Sequence, residues 1–338
     1  MHSTTHSLTH SLILLYFFFE TKASKRSDGK IQLSHPIQSG ILKDASDLEV
    51  LYSNIYKTLK VAPTEHPLLI SDSIDETKPT REKIAQMCFE TFDVPAYYVH
   101  KAPVLNAFAS GRTTALSVNC GFQVSRTVAV YEGVAMPHAT RRLHIGGEDL
   151  TQFMYRAMCD QDKLTTCDDA RNAKESLCFV TMDYEKELKN VASSAKDFEL
   201  PDGSSVTLDK DRVTVPEILF NPRILGSSAP GIHNDTFNTI LNCENVGSLH
   251  DDLFENIVCS GGSVLFKGFG PRLQKELKSL GGGSVSKKAN VHCATTDDQT
   301  FRGASFVSSL PSFVTCWVTK QEYKENGPSI VHRKCADF

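Results

Sequence analysis

The sequence lacks a strong excess of charge, with 36 Lys and Arg residues against 40 Asp and Glu residues and a formal net charge of -4. This balance argues against a general nucleic-acid binder or a membrane-surface protein, since both depend on clustered positive charge. The apolar run at residues 12–19 is far shorter than the roughly 20 residues of a membrane-spanning helix. No Lys or Arg precedes that run, whereas a signal peptide starts with positive charge. A length of 338 residues, 40% of them hydrophobic, instead predicts a folded protein of two lobes.

The ten cysteines form no C-x-x-C motif and no paired metal-ligand spacing. Scattered cysteines of this kind are typical of reduced thiols, and they argue against a zinc site. A G-x-S-x-G elbow is also missing, so the sequence does not indicate a serine hydrolase.

Helical and strand-like patterns alternate through most of the chain, which is typical of an α/β fold. Ser46 and Glu49 have the spacing of a capping box, and apolar residues at helical intervals follow them. Asp202-Gly203 between two short β-like segments predicts a hairpin turn. The other predicted elements are a helix to about residue 59, strands at 67–70, 95–99, 114–119 and 127–131, and helices at 103–110 and about 150–158.

Several strings resemble the actin family and occur in its order. Residues 61–67 read VAPTEHP and resemble V-A-P-E-E-H-P, and residues 89–96 read FETFDVPA and resemble F-E-T-F-N-V-P-A. The C-terminal stretch at 320–335, KQEYKENGPSIVHRKC, resembles the tail of an actin. Further matches lie at 109–114, 131–139, 200–203 and 231–233, so the resemblance extends from about residue 22 to residue 338.

The resemblance implies an actin-like two-lobed α/β fold with ribonuclease H-like ATPase-type subdomains. The first strands of the outer lobe are expected to be missing, which would leave an unpaired sheet edge. The chain is thus interpreted as N-terminally incomplete. The implied division is 1–22 without resemblance, disordered or a gene-model artefact; 23–35 a remnant of subdomain 2; 36–109 and 299–338 subdomain 1; 110–145 and 228–298 subdomain 3; and 146–227 subdomain 4.

In the family, two hairpin loops hold ATP and a divalent cation between the lobes, with a carboxylate at each turn. The second loop, D-S-G-D-G-V-T-H, matches residues 119–126, which read NCGFQVSR and keep Gly121 but neither carboxylate. The glutamine that positions the attacking water falls at Ala102. We therefore expect weak or no ATP binding and no hydrolysis, with no catalytic and no metal-binding residues, although enzymatic activity remains an open question.

The residues that match the family's adenosine-binding motifs are closer to the family pattern than the hairpin loop is. Residues 171–175 match R-x-x-K-E and residues 259–263 match the S-G-G-T turn, while Asp297 replaces a lysine that helps to bind the base. A solvated, charged helix face is the alternative interpretation of 171–175. The candidate cofactor-binding residues are Gly121, Arg171, Lys174, Glu175, Gly261, Gly262 and Phe266, and the implied cofactor is ATP or ADP with Mg²⁺ or Ca²⁺.

Two functions remain open on the sequence. The first is an actin-related cytoskeletal or complex-subunit protein that acts through protein–protein interaction; the second is a conventional filament-forming actin ATPase represented by a truncated gene model. Phe108, Val307, Leu310 and Cys316 match the apolar groove to which actin-binding helices dock, with an ordinary buried core as the alternative. The expected partners are other actin-family subunits or actin-binding proteins, without nucleic acid or membrane, in the cytoplasmic cytoskeleton or in the nucleus.

Overall fold

The computed structural model describes residues 13–15, 23–27, 30–160, 165–190, 195–244, 248–281 and 286–335. The chain divides into two compact units. Unit 1 comprises Met1–Gly111, Gly133–Ala135 and Asp298–Phe338, and unit 2 comprises Arg112–Glu132 and Met136–Asp297. Two units that combine sheets with helices confirm the predicted two-lobed α/β fold. The finer division into four subdomains stays a prediction, and most of the segment predicted to lack resemblance, 1–12 and 16–22, lies outside the described residues.

The elements follow one another in chain order as helices and short strands. The strands are β1 Ile13–Leu15, β2 Ala23–Ser27, β3 Lys30–Ser34, β4 Ile37–Gln38, β5 Ile41–Leu42, β6 Leu68–Asp72, β7 Ala96–Lys101, β8 Ala115–Cys120, β9 Ser125–Tyr131, β10 Val134–Ala135, β11 Arg141–Leu143, β12 Lys196–Glu199, β13 Ser205–Leu208, β14 Ile257–Ser260, β15 Val291–Cys293 and β16 Val318–Thr319. The α-helices are α1 Ala45–Leu59, α2 Lys78–Gln86, α3 Ala102–Ala109, α4 Gly147–Cys159, α5 Cys167–Leu177, α6 Tyr184–Asn190, α7 Asp211–Glu217, α8 Ile232–Leu241, α9 Leu249–Glu255, α10 Phe269–Leu280, α11 Gln299–Ser309, α12 Lys320–Asn326 and α13 Ile330–Lys334.

The main sheet of unit 1 has the strand order β1-β6-β7-β16. β1 and β7 both run parallel to β6, and β16 runs antiparallel to β7. Within the described residues, β1 is the edge strand on this side of the sheet, and the expectation that the first strands of the outer lobe are missing stays a prediction. Side chains on both faces of β6 and β7 are buried, which is why both strands can be apolar along their length, and Leu68, Leu69 and Tyr97 are fully buried.

The helices of unit 1 cover this sheet. α1 begins two residues earlier than the capping box predicts, because the side chain of Asp44, rather than that of Ser46, accepts hydrogen bonds from the first free amides. α3 and α11 cross closely at Gly303, where an added Cβ would lie 1.8 Å from the carbonyl oxygen of Leu105. Only glycine allows this approach of the two backbones.

The main sheet of unit 2 contains the consecutive strands β9, β8, β14 and β15, with β11 paired to the other side of β9. β8 and β9 form an antiparallel hairpin, whereas β14 is parallel to both β8 and β15. The carboxyl ends of β8, β14 and β15 therefore lie at one edge of the sheet. In open α/β sheets, ligands bind beyond this edge.

Smaller features of unit 2 also agree with the sequence pattern. β12 and β13 form the predicted antiparallel hairpin, with Gly203 in the left-handed region at φ 82°. The side chain of Asp202 accepts a hydrogen bond from the amide of Ser204 and thereby closes the turn. Within the described ranges, every helix is too short or too polar to cross a bilayer.

Candidate functional site

Two turns lie side by side at the carboxyl edge of the unit 2 sheet. The last paired residues of β8 and β14 are Asn119 and Ser260, and the side-chain amide of Asn119 donates a hydrogen bond to Ser260 Oγ over 3.0 Å. The turn after β8, residues 121–124, is called the hairpin turn below. The turn after β14, residues 261–262, is called the glycine turn. The fold thus brings two of the sequence-predicted segments together.

The two glycines of the glycine turn have different roles. Gly261 has φ 92°, and a Cβ there would lie 2.5 Å from the carbonyl oxygen of Cys120. Gly262 has no heavy atom within 4 Å of its Cβ position. Gly261 therefore allows its backbone to pack closely against that of Cys120. Gly262 instead leaves open space beside the chain, which a ligand can approach.

The hairpin turn is held by the first residues of α4. The amide of Gly147 donates to the carbonyl oxygen of Gly121 over 2.9 Å, and the amide of Glu148 donates to that of Phe122 over 2.7 Å. The amide of Gly146 donates to Asp149 Oδ2 over 2.9 Å. Amides at a helix N-terminus are free to bind anions only when no protein group accepts from them. Here these three amides have protein acceptors.

Gly146 allows this approach, because a Cβ there would lie 2.3 Å from the carbonyl oxygen of Phe122. The contact of Gly146-Gly147 with the hairpin turn was not predicted from the sequence. Two glycines directly before the acidic first turn of a helix were the available signal, since acidic residues favour a helix N-terminus.

Lys174 joins α5 to the start of α4. Its side chain is buried, and Nζ donates to the carbonyl oxygen of Gly147 over 3.2 Å and to Thr151 Oγ1 over 2.9 Å. Thr151 was not among the predicted residues. Lys174 thus lies close to the hairpin turn in a role that holds two helices together.

The other two charged candidates on α5 lie nearer to solvent. Arg171 is half-buried, with Nη1 3.7 Å from Oδ1 of the exposed Asp168. Glu175 is exposed, with Oε1 3.9 Å from Lys174 Nζ. Neither contact joins these side chains to the hairpin turn.

Gly147 is the point at which the site residues converge. Its Cβ position lies 3.5 Å from Ser263 Oγ, 3.7 Å from Lys174 Nζ and 3.8 Å from the carbonyl oxygen of Gly121. Phe266 lies further along the chain from Ser263, with only 8% of its surface exposed, and belongs to the hydrophobic core of unit 2. The role of Phe266 as a ligand contact stays a prediction.

The residues at the hairpin turn do not fit a divalent cation held through carboxylates. Residues 119–124 carry no charged side chain, and burial raises the pKa of the Cys120 thiol to about 12, so that it is neutral. The described part of the chain contains no group of three or more His, Cys, Asp or Glu side chains arranged to hold a metal ion. Mg²⁺ and Ca²⁺ prefer carboxylate and other oxygen ligands. Within residues 119–124, only the neutral amides of Asn119 and Gln123 offer side-chain oxygens.

The predicted groove residues all belong to unit 1 but differ in exposure. Val307 is buried in the core, whereas Phe108 and Cys316 are half-buried and pack against it. Leu310 is exposed. Sequence reasoning missed the most exposed apolar side chains of this region, Phe306 at 53% and Val314 at 51%.

The remaining sequence-predicted positions lie at element boundaries. Ala102 is the first residue of α3 in unit 1, and Asp297 is exposed in a turn of unit 2. The methyl group of Ala102 has no polar atom with which to orient a water molecule.

Comparison with protein-family models identifies one family. The model described as Actin matches residues 3–170 and 166–336, which together span nearly the whole chain. The match begins at residue 3, ahead of residue 22, where the resemblance was expected to begin.

Proposed function

Since the chain belongs to the actin family, we propose that it is an actin-related structural subunit that acts through protein–protein contacts and does not hydrolyse ATP. The observation that carries this proposal is the hairpin turn, which has no carboxylate and whose carbonyl groups accept hydrogen bonds from α4. The hairpin turn is thus held in place without the carboxylates that a phosphate-bound cation requires.

The loss of hydrolysis has a second basis in unit 1. A water molecule that attacks a phosphoryl group must be oriented by a hydrogen-bonding side chain, and Ala102 has none at the position implied by the family resemblance. The adjacent Lys101 is buried, and its Nζ donates to the carbonyl oxygen of Ser73 over 3.1 Å. That contact supports a structural role for Lys101.

Weak adenosine binding is compatible with the glycine turn. Gly262 leaves open space beside the backbone, and Arg171 and Glu175 lie on α5 with partly accessible side chains. We propose that ATP or ADP binds only weakly, through this end of the site and with little dependence on Mg²⁺ or Ca²⁺.

The direct test is phosphate release from Mg²⁺-ATP by the purified full chain, measured at enzyme concentrations that would detect slow turnover. The expected result is a rate equal to that of the buffer control. Steady release that scales with protein concentration, and is lost after heat denaturation, would instead favour a conventional actin-type ATPase.

The proposed partners are other actin-family subunits or actin-binding proteins, in the cytoplasmic cytoskeleton or in a nuclear complex. Support comes from Phe306, Leu310 and Val314, which expose apolar surface at the end of α11 and just after it. Exposed apolar groups close together in sequence favour a binding surface, and an amphipathic helix is the occupant that the family implies.

This surface can be tested with a labelled amphipathic helix from an actin-binding protein. Phe306→Ser with Val314→Ser is expected to weaken binding by at least about tenfold, as the loss of two apolar contacts implies. Leu241→Ser, which changes a 51% exposed leucine in unit 2, is the matched control. Equal binding by all three proteins would exclude this surface as the docking site.

A further inference from the structure

Two cysteines face each other across the parallel strands of unit 2. Cys259 on β14 and Cys293 on β15 are direct register partners. Neighbouring strands lie about 4.8 Å apart, and side chains opposite each other project to the same face of a sheet. This separation lies within the range over which two cysteine side chains can be bridged by one group.

The absence of a side chain at Gly270 makes room for the sulfur atom of Cys293. A Cβ on Gly270, in the first turn of α10, would lie 2.9 Å from Cys293 Sγ and 4.0 Å from Cys293 Cβ. Any other residue at 270 would force the thiol to move. The Cys293 sulfur is therefore confined between its own strand and α10.

The two thiols differ in exposure and acidity. Cys259 is fully buried, and burial raises its pKa, whereas Cys293 is half-buried. A hydrogen bond from Cys259 lowers the pKa of the Cys293 thiol. Because the thiolate is the reactive form, reaction with an external reagent begins at Cys293 and Cys259 follows as the second ligand.

We propose that Cys259 and Cys293 form a dithiol site that binds one thiophilic centre, for which a trivalent organoarsenical is the appropriate chemical class. With phenylarsine oxide, the arsenic gains two As–S bonds and loses its oxygen. The two thiol protons leave with that oxygen as one water molecule, and no atom changes oxidation state. The site is independent of the proposed function.

Cys120 is a third thiol near the pair, since it contributes to the raised pKa of Cys259. It is fully buried, and its own pKa is raised to about 12 by burial. Cys259 lies opposite Val118 on β8, so Cys120 lies two residues further along that strand, and Cys259 and Cys293 are the pair in direct register.

The experiment treats the folded full chain with phenylarsine oxide and measures the intact mass and the modified peptides. The wild type is expected to take one equivalent, bridging Cys259 and Cys293, and a small dithiol should remove it where a monothiol does not. Cys259→Ala and Cys293→Ala should each retain the reagent about 100-fold less tightly, because the second bond forms intramolecularly.

Cys316→Ala is the matched control, because Cys316 is a half-buried cysteine of unit 1, and it should keep full adduct formation. Circular dichroism checks that each variant is folded, and Cys293→Ser replaces any alanine variant that is not. Undiminished adduct in the Cys259 or Cys293 variants, a bridge mapped to other cysteines, or no adduct in the wild type would each overturn the proposal.

Discussion

The ends of β7 in unit 1 and β8 in unit 2 are fixed by different interactions. At the end of β7, Lys101 Nζ lies 3.6 Å from Asp72 Oδ2, and Arg81 forms an ion pair with the same carboxylate. At the end of β8, residues 119–124 have no charged side chain, and backbone hydrogen bonds from α4 hold the turn. One strand end relies on buried charges and the other on backbone contacts.

The comparison shows that a strand end can be positioned either by buried charges or by backbone contacts alone. Burial raises the pKa of Asp72, and the positive charges of Lys101 and Arg81 oppose that shift. The hairpin turn of unit 2 is positioned by Gly146 and Gly147, which need no ligand to do so. Backbone contacts alone are therefore sufficient to position this strand end.

The largest expected effect concerns the backbone contacts of unit 2. Gly261→Ala is expected to destabilise the protein by about 4 kcal/mol, because it combines an unfavourable positive φ with a clash against the Cys120 carbonyl oxygen. Gly262→Ala is the adjacent control and should cost less than about 1 kcal/mol, since its Cβ position is open. Urea unfolding of both variants measures the difference, and equal losses would contradict the close-packed turn.

The next largest expected effect is a loss of stability at acidic pH caused by the buried His100 of unit 1. Burial lowers the pKa of His100 to about 4, with smaller contributions from Arg81 and Lys101 in the same direction, while a backbone hydrogen bond opposes them. The unfolded histidine has a pKa of about 6.5, so it takes up a proton first, and stability falls as the pH drops from about 6.5 to about 4. The unfolding free energy that His100 removes over this range is about 3 kcal/mol, and His100 is expected to remove none above about pH 6.5.

His100→Gln should remove this part of the acid sensitivity. Unfolding free energies of the wild type and the variant are compared between pH 7 and pH 4. The exposed His138→Gln is the control and should leave the pH dependence unchanged. A His100→Gln profile parallel to that of the wild type would argue against a buried neutral histidine.

A smaller effect is expected at the side chain that joins α5 to α4. Lys174→Met should destabilise the protein by about 2 kcal/mol without any nucleotide present, because it leaves buried oxygen acceptors without their charged donor. Glu175→Gln, at an exposed position, should change stability by less than about 0.5 kcal/mol. If Lys174→Met alters only nucleotide binding and not the melting temperature, the structural role is wrong.

Sequence patterns predicted the elements well where local chemistry is strong. The turn at Asp202-Gly203 and the helix through residue 59 follow from turn propensity and apolar spacing, and both are confirmed. The helix start was less certain, because Asp44 and Ser46 are both good capping residues and only the backbone conformation distinguishes them.

The site was harder to predict because its contacts join segments that are distant in sequence. The approach of Gly146 to Phe122, and of Gly261 to Cys120, depends on tertiary packing that no local pattern reports. The exposure of Phe306 and the burial of Val307 show the same limit on one helix, where adjacent apolar residues point in different directions.

The central claim is that the hairpin turn keeps its fold but has lost its cation-dependent chemistry. The most direct test is ATP titration with and without Mg²⁺ for the wild type, for Asn119→Asp with Phe122→Asp, and for Asn119→Ala with Phe122→Ala as the matched control. The wild type and the alanine variant should show no Mg²⁺ dependence, and the aspartate variant should bind about tenfold more tightly with Mg²⁺, because a carboxylate is the ligand that this cation prefers. Tight, Mg²⁺-dependent binding by the wild type would contradict the account.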